Sequence, residues 1–158
     1  MIKCKFEDGN DAVHGLRHVT VDTLVLKDGK ILLIKRTGKL LEGGKWGLLG
    51  GFVDRDENLK EAVEREVMEE SGYKVKSIQL LTVRDNPDRP KEDRQNISFI
   101  YICEATEKVG EADWEVDDQK WFDFKDIPSE EQVAFDHYKN IELYLEYLDK
   151  KLDLPILS

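Results

Sequence analysis

Among the six glutamates from Glu57 to Glu70, Glu57, Glu66, Glu69 and Glu70 stand with Arg65 at a spacing that could do chemistry. With Leu59 as origin and roughly 100° of turn per residue, Glu66 and Glu70 fall within about 20° of Leu59 on either side. Ala62 and Val63 lie within about 60°, and Val67 at about 80°. Two glutamates therefore run down the middle of the apolar stripe of this segment. Glu69 stands at one edge, and Glu61, Glu64, Met68 and Ser71 lie opposite. If the stripe packs on a sheet, these carboxylates point toward protein. Buried carboxylates are costly unless a cation compensates them, and acids at i, i+3 and i+4 repel one another mildly. Arg65 offsets part of that charge, but one arginine does not offset three acids. Magnesium or manganese, which take oxygen ligands in octahedral geometry, would relieve it. The chemistry within reach is metal-assisted hydrolysis; the competing reading is a structural ion-pair network.

Such a cluster needs a helix with fixed ends and a surface beneath it. Leu59 to Ser71 reads as that helix. Asn58 suits its N-cap, Glu61 completes an approximate capping box, and Gly72 suits the left-handed position past the end. Upstream, Leu48 to Val53 contains Gly50 and Gly51 and must bend or bring backbone close to something. Val19 to Val25 and Ile31 to Ile34 read as strands joined at Asp28-Gly29. Leu41 to Trp46, with Gly43-Gly44, reads as a loop. Downstream come a strand from Val75 to Val83, a polar loop from Arg84 to Gln95 holding Pro87 and Pro90, and a buried strand from Ile97 to Glu104. An acidic loop from Glu107 to Asp118 precedes a short strand from Trp121 to Phe124. After Pro128 a final helix is expected, with Ala134, Tyr138, Ile141, Leu145 and Leu148 as a core-facing stripe. This order predicts an α/β protein with a mixed sheet packed between helices.

A length of 158 residues suits one domain spanning 1–158 with one sizeable core. The net charge of −10 repels polyanions, so duplex DNA and long RNA are poor partners. A small anionic ligand needs local cations. No segment approaches the roughly 18 consecutive apolar residues of a membrane helix, and the first residues lack the apolar core of a signal peptide. Cys4 and Cys103 are too few and too far apart for a zinc set. Cys103 reads as core and Cys4 as a reduced thiol, which leaves the cytoplasm as the expected location.

Gly51, Glu57, Arg65, Glu66, Glu69, Glu70 and Gly72 stand at spacings that resemble the Nudix box. That box reads glycine, five residues, glutamate, seven residues, then Arg-Glu-aliphatic-x-Glu-Glu-x-Gly-aliphatic. The resemblance extends to Arg17–Asp22, Lys30–Arg36, Gly44–Leu48, Trp121-Phe122 and Asp126–Pro128, and so covers most of the chain. Leu49 departs from the proline common in relatives, and Tyr73 from the usual aliphatic residue. The resemblance implies an α/β/α sandwich and a pyrophosphohydrolase using Mg2+, with Mn2+ as a substitute. It implies Glu66 and Glu70 as principal metal ligands, Glu69 as ligand or base, and the Gly50 carbonyl as a further ligand. Arg65 and Glu57 would orient these groups.

The loop containing Arg84, Arg89 and Arg94 is similar to the Asp/Pro/Arg-rich loop of the ADP-ribose branch of that family. Arginine suits phosphate and ribose recognition, and Arg36 at the end of its strand is a further candidate. Trp46 and Trp114 could stack on a base or simply pack. In the acidic loop Glu115 is the best candidate for an extra carboxylate, with Glu111, Asp113, Asp117 and Asp118 open. The favoured substrate is a small nucleotide, ADP-ribose or a similar nucleoside diphosphate linked to another group. The alternatives are a nucleoside triphosphate pyrophosphatase that removes oxidised dGTP, and a non-catalytic nucleotide sensor. A homodimer is compatible with all of these.

Overall fold

The structure is a computed structural model that describes residues 2–5, 11–89, 91 and 95–156. The strands are β1 (Ile2–Lys5), β2 (Asp11–Leu16), β3 (Val19–Lys27), β4 (Lys30–Arg36), β5 (Trp46–Gly47), β6 (Leu49–Phe52), β7 (Tyr73–Arg84), β8 (Ile97–Lys108) and β9 (Val116–Asp123). The helices are α1 (Leu59–Ser71) and α2 (His137–Lys150). β1 and β2 form a separate antiparallel hairpin that the sequence pattern did not reveal.

The main sheet runs β5-β4-β3-β8-β7, with β6 also on β3 and β9 also on β4. β3 and β8 are parallel, with Val19 opposite Ile97 and Leu26 opposite Glu104. The remaining pairings are antiparallel, so the sheet is mixed. β3 alternates as a strand buried on both faces should. Val21 and Val25 pack with Ala62, Val63 and Val67 of α1. Leu24 packs with Ile141 and Tyr144 of α2. The two helices thus cover opposite faces, giving the expected α/β/α sandwich. Among the described residues no helix is long and apolar enough to cross a membrane.

Three local expectations change. β8 runs to Lys108 and β9 starts at Val116, so the acidic loop shrinks to 109–115. Ser71 is fully buried rather than on the solvent side, because its hydroxyl donates to the Val67 carbonyl (2.6 Å) and accepts from Tyr73 N (3.3 Å). The last helix begins at His137. Val133 bridges to Trp46, and Ala134 N donates to the Trp46 carbonyl (2.8 Å), which holds both residues extended. Phe135 then takes φ 51°. Ala134 is buried outside the helix, and the buried helical face is His137, Asn140, Ile141 and Tyr144. Leu145 and Leu148 are exposed instead.

Candidate active site

α1 is fixed at both ends as its sequence requires. The Asn58 side chain accepts from Lys60 N and Glu61 N, Glu61 returns the bond to Asn58 N, and Gly72 takes the left-handed cap. This rotation sets Glu66 and Glu70 against β6. Gly50 N donates to Glu70 Oε2 at 2.8 Å. Among the described residues the other Glu70 oxygen has no hydrogen-bond partner. Glu70 is only 4% exposed, and burial pushes its carboxyl well above the ordinary glutamate range. The glycine pair makes the approach possible. A Cβ on Gly51 would lie 2.5 Å from Glu66 Oε1. A Cβ on Gly50 would lie 2.0 Å from the Val21 carbonyl, and Gly50 has φ 154°, which L side chains rarely adopt.

Arg65 organises the acids beside it. Its guanidinium donates to both Glu57 oxygens (3.0 and 2.6 Å), to Glu66 Oε1 (2.8 Å), to Glu69 Oε2 (3.1 Å) and to the Phe52 carbonyl (2.9 Å). The bond from Arg65 holds the Glu57 carboxyl below its usual range. Glu66 goes the other way, because its burial outweighs the Arg65 contact. The short acidic loop brings a fifth carboxylate. Val109 N and Gly110 N donate to the Gly72 carbonyl, and Asp113 N donates to the Glu69 carbonyl. Glu115 is thereby held close enough to disfavour ionisation of Glu66 and Glu70. Its own carboxyl is raised by burial and by Asp113. Glu111 is engaged by Lys108, Asp113 caps Glu115 N, and Asp118 caps Gln119 N.

This donor set fits a hard divalent cation. Glu66, Glu70 and Glu115 are all held above the usual range, and among the described residues Glu70 has no ion-paired cation. Glu66 turns to Arg65, while Glu70 turns to Gly50 N. Among the described residues no three His, Cys, Asp or Glu are already close enough together to hold one.

Gly50 and Gly51 also line a cleft of about 120 Å3, with Arg36, Phe135, Arg89 and Thr20. A larger cavity of about 800 Å3 lies around Leu26, Lys76, Phe124 and Tyr144, but none of the clustered glutamates of α1 lines it. At the cleft, Arg36 Nε donates to the Leu41 carbonyl (3.1 Å), and its guanidinium carbon lies 5.3 Å from the Phe135 ring centre. Among the described residues its terminal amino groups have no hydrogen-bond partner. Its charge is among the influences that favour ionised Glu70 and Glu115.

The other predicted arginines separate. Arg89 is 7% exposed, and its guanidinium bonds Asp136 (Nε 2.8 Å, Nη2 2.6 Å) and Asp22 (3.3 Å). Those bonds make it a buried anchor within the cleft wall. Arg84 Nε donates to Asn140 Oδ1 (2.9 Å) on α2, and Arg84 does not line the cleft. Arg94 lies outside the described residues. Trp46 packs edge-on against Phe122, and Trp114 is exposed.

Sequence reasoning missed the group around Asp22. The Ser98 hydroxyl donates to Asp22 Oδ2. His137 Nδ1 accepts from Leu48 N (2.9 Å), so the ring proton belongs on Nε2, 3.4 Å from Asp22 Oδ1. Burial opposes charge on Asp22, but His137, Arg89 and Ser98 outweigh it and hold its carboxyl well below the usual range. The available signal was an isolated acid inside a β-branched, buried strand.

Comparison with known proteins agrees with this geometry. Residues 16–144 match the sequence model of the NUDIX domain. An ADP-ribose pyrophosphatase of Methanocaldococcus jannaschii is 37% identical over 129 residues, 82% of this chain and 73% of that protein. The NUDIX domain of Shewanella oneidensis NrtR, solved in complex with ADP ribose, superposes with a TM-score of 0.69 at 29% identity, covering 84% of this chain and 89% of that one. A NUDIX hydrolase from Nitrosomonas europaea shares the fold with a TM-score of 0.80 at 22% identity, over 94% of this chain and 81% of that one. With the box glutamates gathered on α1 against Gly50 and Gly51, and with more than half its length matched, the chain belongs to the Nudix family.

Proposed function

We propose that this Nudix hydrolase cuts the diphosphate bond of a nucleoside diphosphate linked to another group, with ADP-ribose favoured and Mg2+, or Mn2+ in its place, as the ion. The carrying observation is Glu70: a buried carboxylate, bonded to Gly50 N and lacking an ion-paired cation among the described residues, beside Glu66, Glu69 and Glu115. Glu66 and Glu70 would be the principal ligands, with Glu69, Glu115 and the Gly50 carbonyl completing the set. The bound ion would neutralise diphosphate charge and lower the pKa of the attacking water. The chain's own parts do the rest. Arg65 and Glu57 orient Glu66 and Glu69. Arg36 offers unused N–H groups to a phosphate oxygen. Glu69, at 50% side-chain exposure, is open to the attacking water as its base.

The cleft has room for a phosphate-sized group, so the remainder of a nucleotide would lie across the surface beyond it. The ADP ribose bound to the NrtR domain and the activity named for the archaeal relative support the substrate class. The net charge of −10 argues against polymeric nucleic acid. We take the cytoplasm as the place of action, where reducing conditions suit the Cys103 thiol. Incubation with a nucleotide panel and magnesium, with products separated by chromatography, tests the reading. AMP and ribose 5-phosphate from ADP-ribose support it. Preferential release of pyrophosphate from oxidised dGTP would replace it with triphosphate clean-up, and tight binding without turnover would make the chain a sensor.

A further inference from the structure

Phe135 adopts a backbone conformation that bulky residues rarely take, with φ 51°. Such a conformation persists where the surroundings over-determine it. Before it, Ala134 N is tied to the Trp46 carbonyl. After it, the Asp136 carboxylate is tied to Arg89. The ring thus fixed lies 5.3 Å from the guanidinium carbons of both Arg36 and Arg89, and 5.5 Å from the His137 ring.

The two guanidinium groups differ in what else they hold. Arg89 is met by the buried Asp22 and the half-buried Asp136 and is anchored without the ring. Among the described residues the Arg36 guanidinium bonds only the Leu41 carbonyl, at Nε. An aromatic face attracts a cation through its quadrupole and more strongly where water is scarce. The ring is therefore the second point that fixes the Arg36 head group.

We propose that Phe135 is the positioning residue for Arg36: the strained turn delivers the ring to its guanidinium and keeps the free amino groups ready to bind a phosphate oxygen of the substrate. This rests on the diphosphate reaction proposed above. Fixing the head group in advance removes ordering cost at binding, and such a contact changes KM more than kcat.

A double-mutant cycle tests it, using Phe135→Leu, Phe135→Tyr, Arg36→Ala and the Phe135→Leu/Arg36→Ala pair. Affinity for methylenediphosphonate with magnesium is measured by calorimetry, and KM and kcat for ADP-ribose by steady-state assay. Phe135→Leu should weaken diphosphonate binding and raise KM by roughly threefold to tenfold, with kcat changed by less than about twofold. Phe135→Tyr should retain wild-type values, and Phe135→Leu should cost nothing further once Arg36 is alanine. If Phe135→Leu does not fold, Phe135→Gly, relaxed at this φ, takes its place in the cycle. An equal loss in both backgrounds, no loss at all, or a wild-type protein that does not bind the diphosphonate overturns the inference. Coupled diphosphonate binding in a protein that cleaves no nucleoside diphosphate would overturn the proposed reaction while leaving the role of Phe135 in place.

Discussion

Glu70 and Gly51 test the site from its two sides. Glu70→Gln keeps the shape and an acceptor for Gly50 N while removing a buried charge. Turnover should fall by roughly a hundredfold or more, while the melting temperature of the metal-free protein rises, because burial disfavours the charge. Near-wild-type turnover at saturating magnesium would sink the assignment. Gly51→Ala places a methyl 2.5 Å from Glu66 Oε1. The atom it meets is the end of a flexible side chain, so the protein should fold with nearly unchanged melting temperature and lose turnover as Glu66 is pushed aside. Gly50→Ala meets the Val21 carbonyl at 2.0 Å and should lose the fold instead; thermal melts and rates for the pair separate these outcomes. The facing of Glu66 and Glu70 was legible because helical spacing places them on the apolar stripe. The thinness that Gly51 gives the seam was not, because it depends on which side chain crosses it.

Anchoring of the 85–96 loop to the start of α2 decides how its arginines behave. Arg17 donates to the carbonyls of Asp85, Gln95 and Asn96 and gathers both ends of the loop. Arg89 reaches inward from it to Asp22 and Asp136. Arg89→Ala takes the cation from the buried Asp22 and the half-buried Asp136 and should cost about 3–5 kcal/mol, read as a lower urea midpoint. A variant with wild-type stability and only a raised KM would restore Arg89 as a direct clamp. That this loop is rich in arginine was readable from the sequence, and its link to the site came only from the resemblance. Which arginine is buried was not, since Arg89 and Asp22 are 67 positions apart. The α2 stripe was misplaced for a related reason. Ala134 fits a helical period, but its backbone is claimed by Trp46, a partner that periodicity in its own segment cannot show.

Across the whole molecule, Asp22 makes stability depend on pH. Its folded carboxyl lies below the usual range, so its contribution is complete above the ordinary aspartate value near 4 and is lost as pH falls toward the folded value. The stability gap between wild type and Asp22→Asn, measured by urea denaturation, should be widest near neutrality and narrow by about pH 3. A gap that widens in acid would remove Asp22 as the source. The α/β/α arrangement was legible because strands and helices alternate with the right periods, while the β1–β2 hairpin carried too little apolar pattern to be seen. The Gly50–Glu70 bond joins groups only 20 positions apart, whereas the rest of the cleft lining draws on Thr20, Arg36, Arg89 and Phe135. Heredity can therefore treat the two sets separately. Drift or deliberate redesign in the scattered set changes what is held while the short carboxylate segment passes through unaltered, so new specificities are reachable without rebuilding the cutting apparatus.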